Sequence, residues 1–192
     1  MLIGAIVLAA GEGKRFGGNK LLIKINNKFI IQYVLEALED LERVIVVGKY
    51  AEDFIKILNN EIIVYNPYWK YGMSSSIKLG LRFFLNYDGV IIALGDMPLI
   101  TRELIKNLVN NYSVECLAIV PKYKEVLGNP VLISKKIFHK LNELSGDIGA
   151  RVIIRNLKEG LCYIDADESV TIDVDKPEDL VLVSQKLASR LR

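Results

Sequence analysis

The sequence predicts an α/β fold in three layers, with helices on both faces of an open, mostly parallel sheet. Short β-branched runs alternate along the chain with longer amphipathic stretches, the pattern of strand–helix–strand units. The runs are apolar at consecutive positions, as strands buried on both faces must be. A glycine-rich turn directly follows the first of them.

Residues 3–8 are the first expected strand, an uninterrupted apolar run that stops at glycines. Further strands are expected at 43–47, 61–65, 90–94, 116–120, 162–164 and 170–174. Helices are expected at 30–38, 51–58, 75–85, 102–110, 135–144, 150–158 and 177–191. Apolar residues recur there every three or four positions, as with Ile77, Leu81 and Leu85. The rhythm breaks at Gly128-Asn129-Pro130, whose apolar flanks at 126–127 and 131–133 predict an irregular hairpin.

The 192 residues contain no repeat and no Gly-, Ser- or Pro-rich linker, so one domain spanning 1–192 is expected. With 51% hydrophobic and 25% charged residues, the chain is not of the disordered class. Lys plus Arg is 25 against 23 for Asp plus Glu, a net charge of +2 that argues against a nucleic-acid partner. The apolar stretch at 2–10 falls well short of the ~20 residues that span a bilayer, so neither a membrane segment nor a secretory signal is expected. Cys116 and Cys162 are too few for a disulfide scaffold or a four-cysteine zinc site. They read as reduced thiols in a cytoplasmic protein, with Cys116 as inert core.

Leu8-Ala9-Ala10-Gly11-Glu12-Gly13-Lys14-Arg15-Phe16-Gly17-Gly18-Asn19-Lys20 is the most informative segment. Glycines after a first strand let backbone N–H groups converge on an anion. It is not a P-loop, because Gly13-Lys14 is followed by Arg15 where Ser or Thr is required. Nor is it a dinucleotide fingerprint, because Phe16 stands where the third glycine belongs. Lys14, Arg15, Lys20, Lys24 and Lys28 follow with no acidic residue among them. Such a loop is either a solvated basic turn or a cradle for a triphosphate.

Asp96 follows the apolar run at 90–94, which places it at the sheet's carboxyl edge beside the glycine loop. It is a hard oxygen ligand of the kind Mg²⁺ takes, and Thr101 is better placed than Asp96 to cap the next helix. Asp173 and Asp175, two apart, point to one side of an extended segment. Asp173 reads as a further metal ligand, and Asp175 as a third ligand, a neighbouring support or the cap before Pro177. Ser74, Ser75 and Ser76 open a helix after Gly72, where a nucleotide can meet free N–H groups or where serine simply caps. His139 reads as a surface residue, and Tyr65, Tyr68, Trp69 and Tyr71 as loop packing or a stacking surface.

Leu-Ala-Ala-Gly-x-Gly-x-Arg-Phe-Gly-x-x-Lys resembles the signature loop of nucleotidyltransferases with a Rossmann-like glycosyltransferase-A fold. Within them it is most similar to the molybdenum cofactor cytidylyltransferases and their relatives. Gly95-Asp96-Met97-Pro98, Asp173-Val174-Asp175-Lys176-Pro177-Glu178-Asp179-Leu180 and Gly72-Met73 before Ser76 match further family segments, in the family's order. The resemblance implies Mg²⁺-dependent transfer of CMP from CTP to the phosphate of molybdopterin or its molybdenum-loaded form, with pyrophosphate released. It implies Arg15, Lys20 and Asp96 as catalytic residues. Leu8, Ala9, Ala10, Gly11, Gly13, Arg15, Lys20, Ser74, Ser75 and Ser76 would bind the nucleotide. Asp96, Asp173 and Asp175 would hold the metal, and Gly128, Asn129, Pro130, Asp147, Gly149 and Arg151 would line the acceptor half.

A molybdenum hydroxylase apo-enzyme is the implied protein partner. Guanylyl-transferring relatives usually carry Leu-Ala-Gly-Gly, so Ala10 points to CTP over GTP. Gly13 departs from the family, which often has serine there or next to it. The alternatives are a GTP-dependent enzyme, a sugar- or polyol-phosphate nucleotidyltransferase, and a non-catalytic chaperone that delivers the cofactor.

Overall fold

The first strand of the computed structural model, which describes residues 1–190, carries side chains into two separate cores. In β1 (Ile3–Ala9), Ala5, Val7 and Ala9 join one core while Ile6 and Leu8 join the other. That is why the run is apolar at consecutive positions. A short hairpin of β2 (Lys24–Ile25) and β3 (Lys28–Phe29) precedes α1 (Ile30–Ala37) and was not expected. β4 (Arg43–Val47), α2 (Ala51–Ile57), β5 (Ile63–Tyr65), α3 (Met73–Leu81), β6 (Gly89–Leu94) and α4 (Arg102–Asn110) follow. The remainder is β7 (Ala118–Tyr123), β8 (Val126–Leu127), β9 (Val131–Ser134), α5 (Phe138–Glu143), α6 (Arg151–Arg155), β10 (Leu161–Asp165) and α7 (Asp179–Ser189).

The main sheet runs β10-β7-β9-β6-β1-β4-β5, with β8 paired to β7. β1 lies parallel to β4 and to β6, and β5 and β10 are parallel to their neighbours. β9 runs antiparallel to both β6 and β7. Val34 of α1, Phe54 of α2, Leu108 of α4 and Val183 of α7 pack on one face. Ile77 of α3, Leu141 of α5 and Ile153 of α6 pack on the other, completing the α/β/α sandwich. Among the described residues no helix is long and apolar enough to cross a membrane.

Several sequence expectations are corrected. The flanks of Gly128 do not pair with each other: β8 pairs with β7, and β9 inserts between β6 and β7. The strand expected at 170–174 is absent, because Asp167 accepts the Ser169 N–H (2.8 Å) and starts a 3₁₀ turn, Glu168–Thr171. The helix expected at 150–158 is the single turn of α6, and the expected end of the last helix, Leu191, lies outside the described residues.

Cys116 and Cys162 are not free thiols; they form a disulfide with Cα atoms 5.7 Å apart. β10 lies parallel to β7 with Leu161 beside Ala118, so the two cysteines sit at the starts of neighbouring strands. Their separation of 46 residues conceals this in the sequence. Closing a loop of that length is expected to stabilise the fold by ~2–4 kcal/mol. Replacing both cysteines by serine should therefore lower the unfolding free energy by about that amount in denaturant titrations.

Candidate functional site

A crevice of about 970 Å³ opens at the carboxyl ends of β1 and β6. β1 is followed on one side by β4 and on the other by β6, so the crevice lies where the strand order reverses, the usual ligand position in such sheets. Leu8, Ala9, Ala10 and the glycine loop form its floor and one wall. The Gly13 carbonyl accepts the N–H groups of Phe16, Gly17 and Gly18, at 3.1, 2.9 and 3.3 Å. Gly13 has φ +64°, and a Cβ there would fall 2.0 Å from the Gly18 carbonyl oxygen. A serine at this position would disrupt the loop, which accounts for the departure noted above. The N–H groups of Gly11 through Arg15 donate no hydrogen bond among the described residues.

Lys20 begins a 3₁₀ turn, Lys20–Leu22, anchored by the buried Leu21, whose side chain packs at Gly95. That anchor brings the Lys20 ammonium to 2.7 Å from Asp96 Oδ2 and 3.0 Å from Asp175 Oδ1. Asp96 leaves β6, and its carbonyl accepts the Val174 N–H at 2.9 Å. Val174 is fully buried, so its neighbours Asp173 and Asp175 turn toward Asp96 without a strand. One carboxylate oxygen from each of the three lies within 4.8 Å of the others. Arg15 Nη1 lies 2.8 Å from Asp175 Oδ2.

Asp175 is therefore not the cap of α7. Asp179 instead accepts the N–H groups of Asp175 and Lys176, at 2.8 and 2.7 Å. Thr101 caps α4 as expected, accepting the Leu104 N–H at 3.2 Å.

The charges act on one another. Burial alone would lower the Lys20 pKa, but Asp96 and Asp175 outweigh it and raise it. Hydrogen bonding to Lys20, then to Arg15, holds Asp175 below the usual carboxylate range. Asp173 takes no ion pair among the described residues. Partial loss of hydration in the crevice, then the charges of Asp96 and Asp175, push its carboxyl up.

The serine segment is divided in its roles. Ser74 donates from Oγ to the Gly146 carbonyl (2.7 Å), and the Met73 N–H donates to Asp147 Oδ1 (3.2 Å). Asp147 thus meets the N-terminus of α3. Ser75 Oγ donates toward the Tyr68 and Gly72 carbonyls, at 2.9 and 2.8 Å. Ser76 alone of the three lines the crevice. Asn66, buried at the end of β5, donates to Ser75 Oγ (2.9 Å) and Ser76 Oγ (3.0 Å) and accepts the Tyr68 N–H (2.9 Å).

The expected acceptor residues are dispersed. Asp147 lines the crevice, whereas Gly128, Asn129, Pro130, Gly149 and Arg151 are not among its lining residues. Gly128 and Asn129 are held by backbone hydrogen bonds to the carbonyls of Pro121 (2.7 Å) and Val170 (2.9 Å). Arg151 is exposed at the start of α6, and His139 is exposed as expected.

Sequence reasoning did not find Asn66 or Asn19. Asn66 carries a signal in retrospect, as a polar residue that ends an apolar run. Asn19 Nδ2 is buried without a partner among the described residues, and Asn19 lies within the glycine loop, where the glycines and cations drew the reading. Trp69, Lys70, Tyr71 and Met73 supply the facing wall.

Residues 5–161 match the family described as MobA-like NTP transferase domain, and the chain belongs to it. A probable molybdenum cofactor guanylyltransferase from Thermococcus gammatolerans is 30% identical over 174 residues, 85% of each chain. The crystal structure of a mycobacterial (strain JC1) homologue of Mycobacterium tuberculosis rv0371c superposes with a TM-score of 0.86 at 25% identity, covering 99% of this chain and 98% of that one. Rv0371c of Mycobacterium tuberculosis H37Rv, in complex with manganese, shares the fold with a TM-score of 0.82 at 20% identity, covering 96% and 99%.

A carboxyl whose pKa is raised by folding weakens the fold once pH rises past its unfolded value. Asp173→Asn is accordingly expected to raise the melting temperature at neutral pH, with the difference vanishing in acid where Asp173 is protonated. Gly72 has φ +92° and ψ −178°, and a Cβ there would lie 2.5 Å from the Asp147 nitrogen. Gly72→Ala should cost at least ~1–3 kcal/mol in chemical denaturation.

Proposed function

We propose, with membership of this nucleotidyltransferase family as premise, that the chain transfers a nucleoside monophosphate from a nucleoside triphosphate to the phosphate of molybdopterin. The observation that carries this reading is the meeting of Lys20 and Arg15 with Asp96, Asp173 and Asp175 beside a glycine loop in which the N–H groups of Gly11 through Arg15 have no acceptor among the described residues. An acceptor phosphate oxygen attacks the α-phosphorus while the bond to the β-phosphate oxygen breaks, and pyrophosphate leaves with that electron pair. The attacking phosphate is already ionised, so no general base is required. Lys20 and Arg15 bind the phosphates on which negative charge accumulates. The glycine loop and Ser76 hold the nucleotide in line with the acceptor.

The three carboxylates fit a divalent cation: they are hard donors, close together, and Asp173 has no competing ion pair among the described residues. Mg²⁺ is the ion proposed, and the manganese bound by the structural neighbour supports a site for such an ion. When bound, the ion acts as a Lewis acid toward the phosphates.

The name of the Thermococcus relative favours GTP as the donor. CTP is the second reading, favoured by Ala10 where guanylyl-transferring relatives usually have glycine. We assign the acceptor side to Asp147 and the loop around it, which lines the same crevice as the glycine loop.

Pyrophosphate release measured with GTP, CTP, ATP and UTP, each with molybdopterin, with sugar phosphates and with no acceptor, tests the reading. Acceptor-dependent release with GTP or CTP supports it, and release with sugar phosphates only would overturn it. Tight cofactor binding without turnover would instead identify a delivery chaperone. Asp96→Asn is expected to reduce turnover at least about 10²-fold, ~2.7 kcal/mol of transition-state stabilisation.

A further inference from the structure

We infer that the Lys20 ammonium is an internal rival of the divalent cation, so that metal and nucleotide load together as a metal–triphosphate complex. The inference rests on the metal-site reading above. Lys20 Nζ lies against Asp96 Oδ2 (2.7 Å) and Asp175 Oδ1 (3.0 Å), and those two carboxylates belong to the group that would ligate the ion. Magnesium sits ~2.0–2.1 Å from its oxygen ligands. A dication on those carboxylates and an ammonium on the same carboxylates would be close neighbours of like charge. The side chains of Lys20 and Asp96 are only 15% and 19% exposed, so water screens that repulsion weakly.

Lys20 cannot retreat into the apolar packing around Leu21. It must find another anion, and a triphosphate in the same crevice provides one within reach of a flexible four-carbon stem. The nucleotide then draws the ammonium off the carboxylates and leaves them to the ion. Each ligand improves the binding of the other, as linkage requires. Arg15 differs, because it touches only Asp175 and its side chain is 75% exposed.

Mn²⁺ titration of nucleotide-free protein at low ionic strength, read by the electron paramagnetic resonance of free Mn²⁺, tests this. Lys20→Met should bind Mn²⁺ on the order of tenfold more tightly than wild type, within the ordinary range of coupling between sites. Lys20→Arg, which keeps the charge, should bind as weakly as wild type. Thermal melts give a second readout: Lys20→Met should be destabilised without Mn²⁺ and gain more from it than wild type does. Lys20→Gln serves should the methionine variant fail to fold. Adding Asp96→Asn to Lys20→Met should abolish the gain. If Lys20→Met binds Mn²⁺ no more tightly than wild type while Asp96→Asn still abolishes binding, the rivalry is wrong and the metal site stands. If the double variant binds as tightly as Lys20→Met, or none of the proteins binds Mn²⁺, the metal site falls and the inference with it.

Discussion

Asp96, Asp173 and Asp175 bring one carboxylate oxygen each within 4.8 Å of the others, a repulsion relieved by cations placed among them and by the raised pKa of Asp173. Lys20 and Arg15 are those cations, and both come from the loop after β1. The ion pairs to Asp175 join residues 155 and 160 positions apart, and Lys20 also reaches Asp96, so the loop, the end of β6 and the approach to α7 must take up mutually consistent positions. Burial of Leu21 and Val174 sets those positions. Each apolar residue is adjacent in sequence to a charged one and turns it toward the crevice. The site's electrostatics are thus a by-product of how neighbouring apolar residues pack.

That dependence explains which parts of the fold were legible. The strand runs at 43–47 and 90–94 and the helix at 102–110 were readable because consecutive apolar residues and 3.6-residue periodicity report burial directly. The segment at 170–174 misled because Val170, Ile172 and Val174 mimic a strand. Here local capping by Asp167 prevailed over β propensity. The two-residue strands β2 and β3 contain too few positions to show any period. The disulfide depends on strand order, which is set by the whole sheet and leaves no local trace.

The site divides in the same way. Asp96 was identified by residue type and its place at a strand end, Asp173 and Asp175 by their spacing, and Lys20 and Arg15 as cations of the glycine loop whose roles the resemblance supplied; the fold gathers all five. The serine segment was identified as a unit, yet its hydroxyls separate by contact: Ser74 fastens the 146–147 loop, Ser75 braces its own turn, and Ser76 reaches the crevice. No spacing rule distinguishes three consecutive serines, because the distinction arises from Asn66 and Gly146, which approach from elsewhere in the chain. The acceptor half was legible only by resemblance. Of its residues only Asp147 and its neighbour Gly146 line the crevice, through their attachment to the start of α3.

The bond between Cys116 and Cys162 turns the stretch between them into a closed ring holding β7, β8, β9, α5 and α6, with the 146–147 clamp inside it. The glycine loop and all three acidic residues lie outside that ring. The 146–147 side of the crevice therefore belongs to a covalently closed ring, whereas the glycine loop, the 69–73 wall and the carboxylates are held by non-covalent contacts alone.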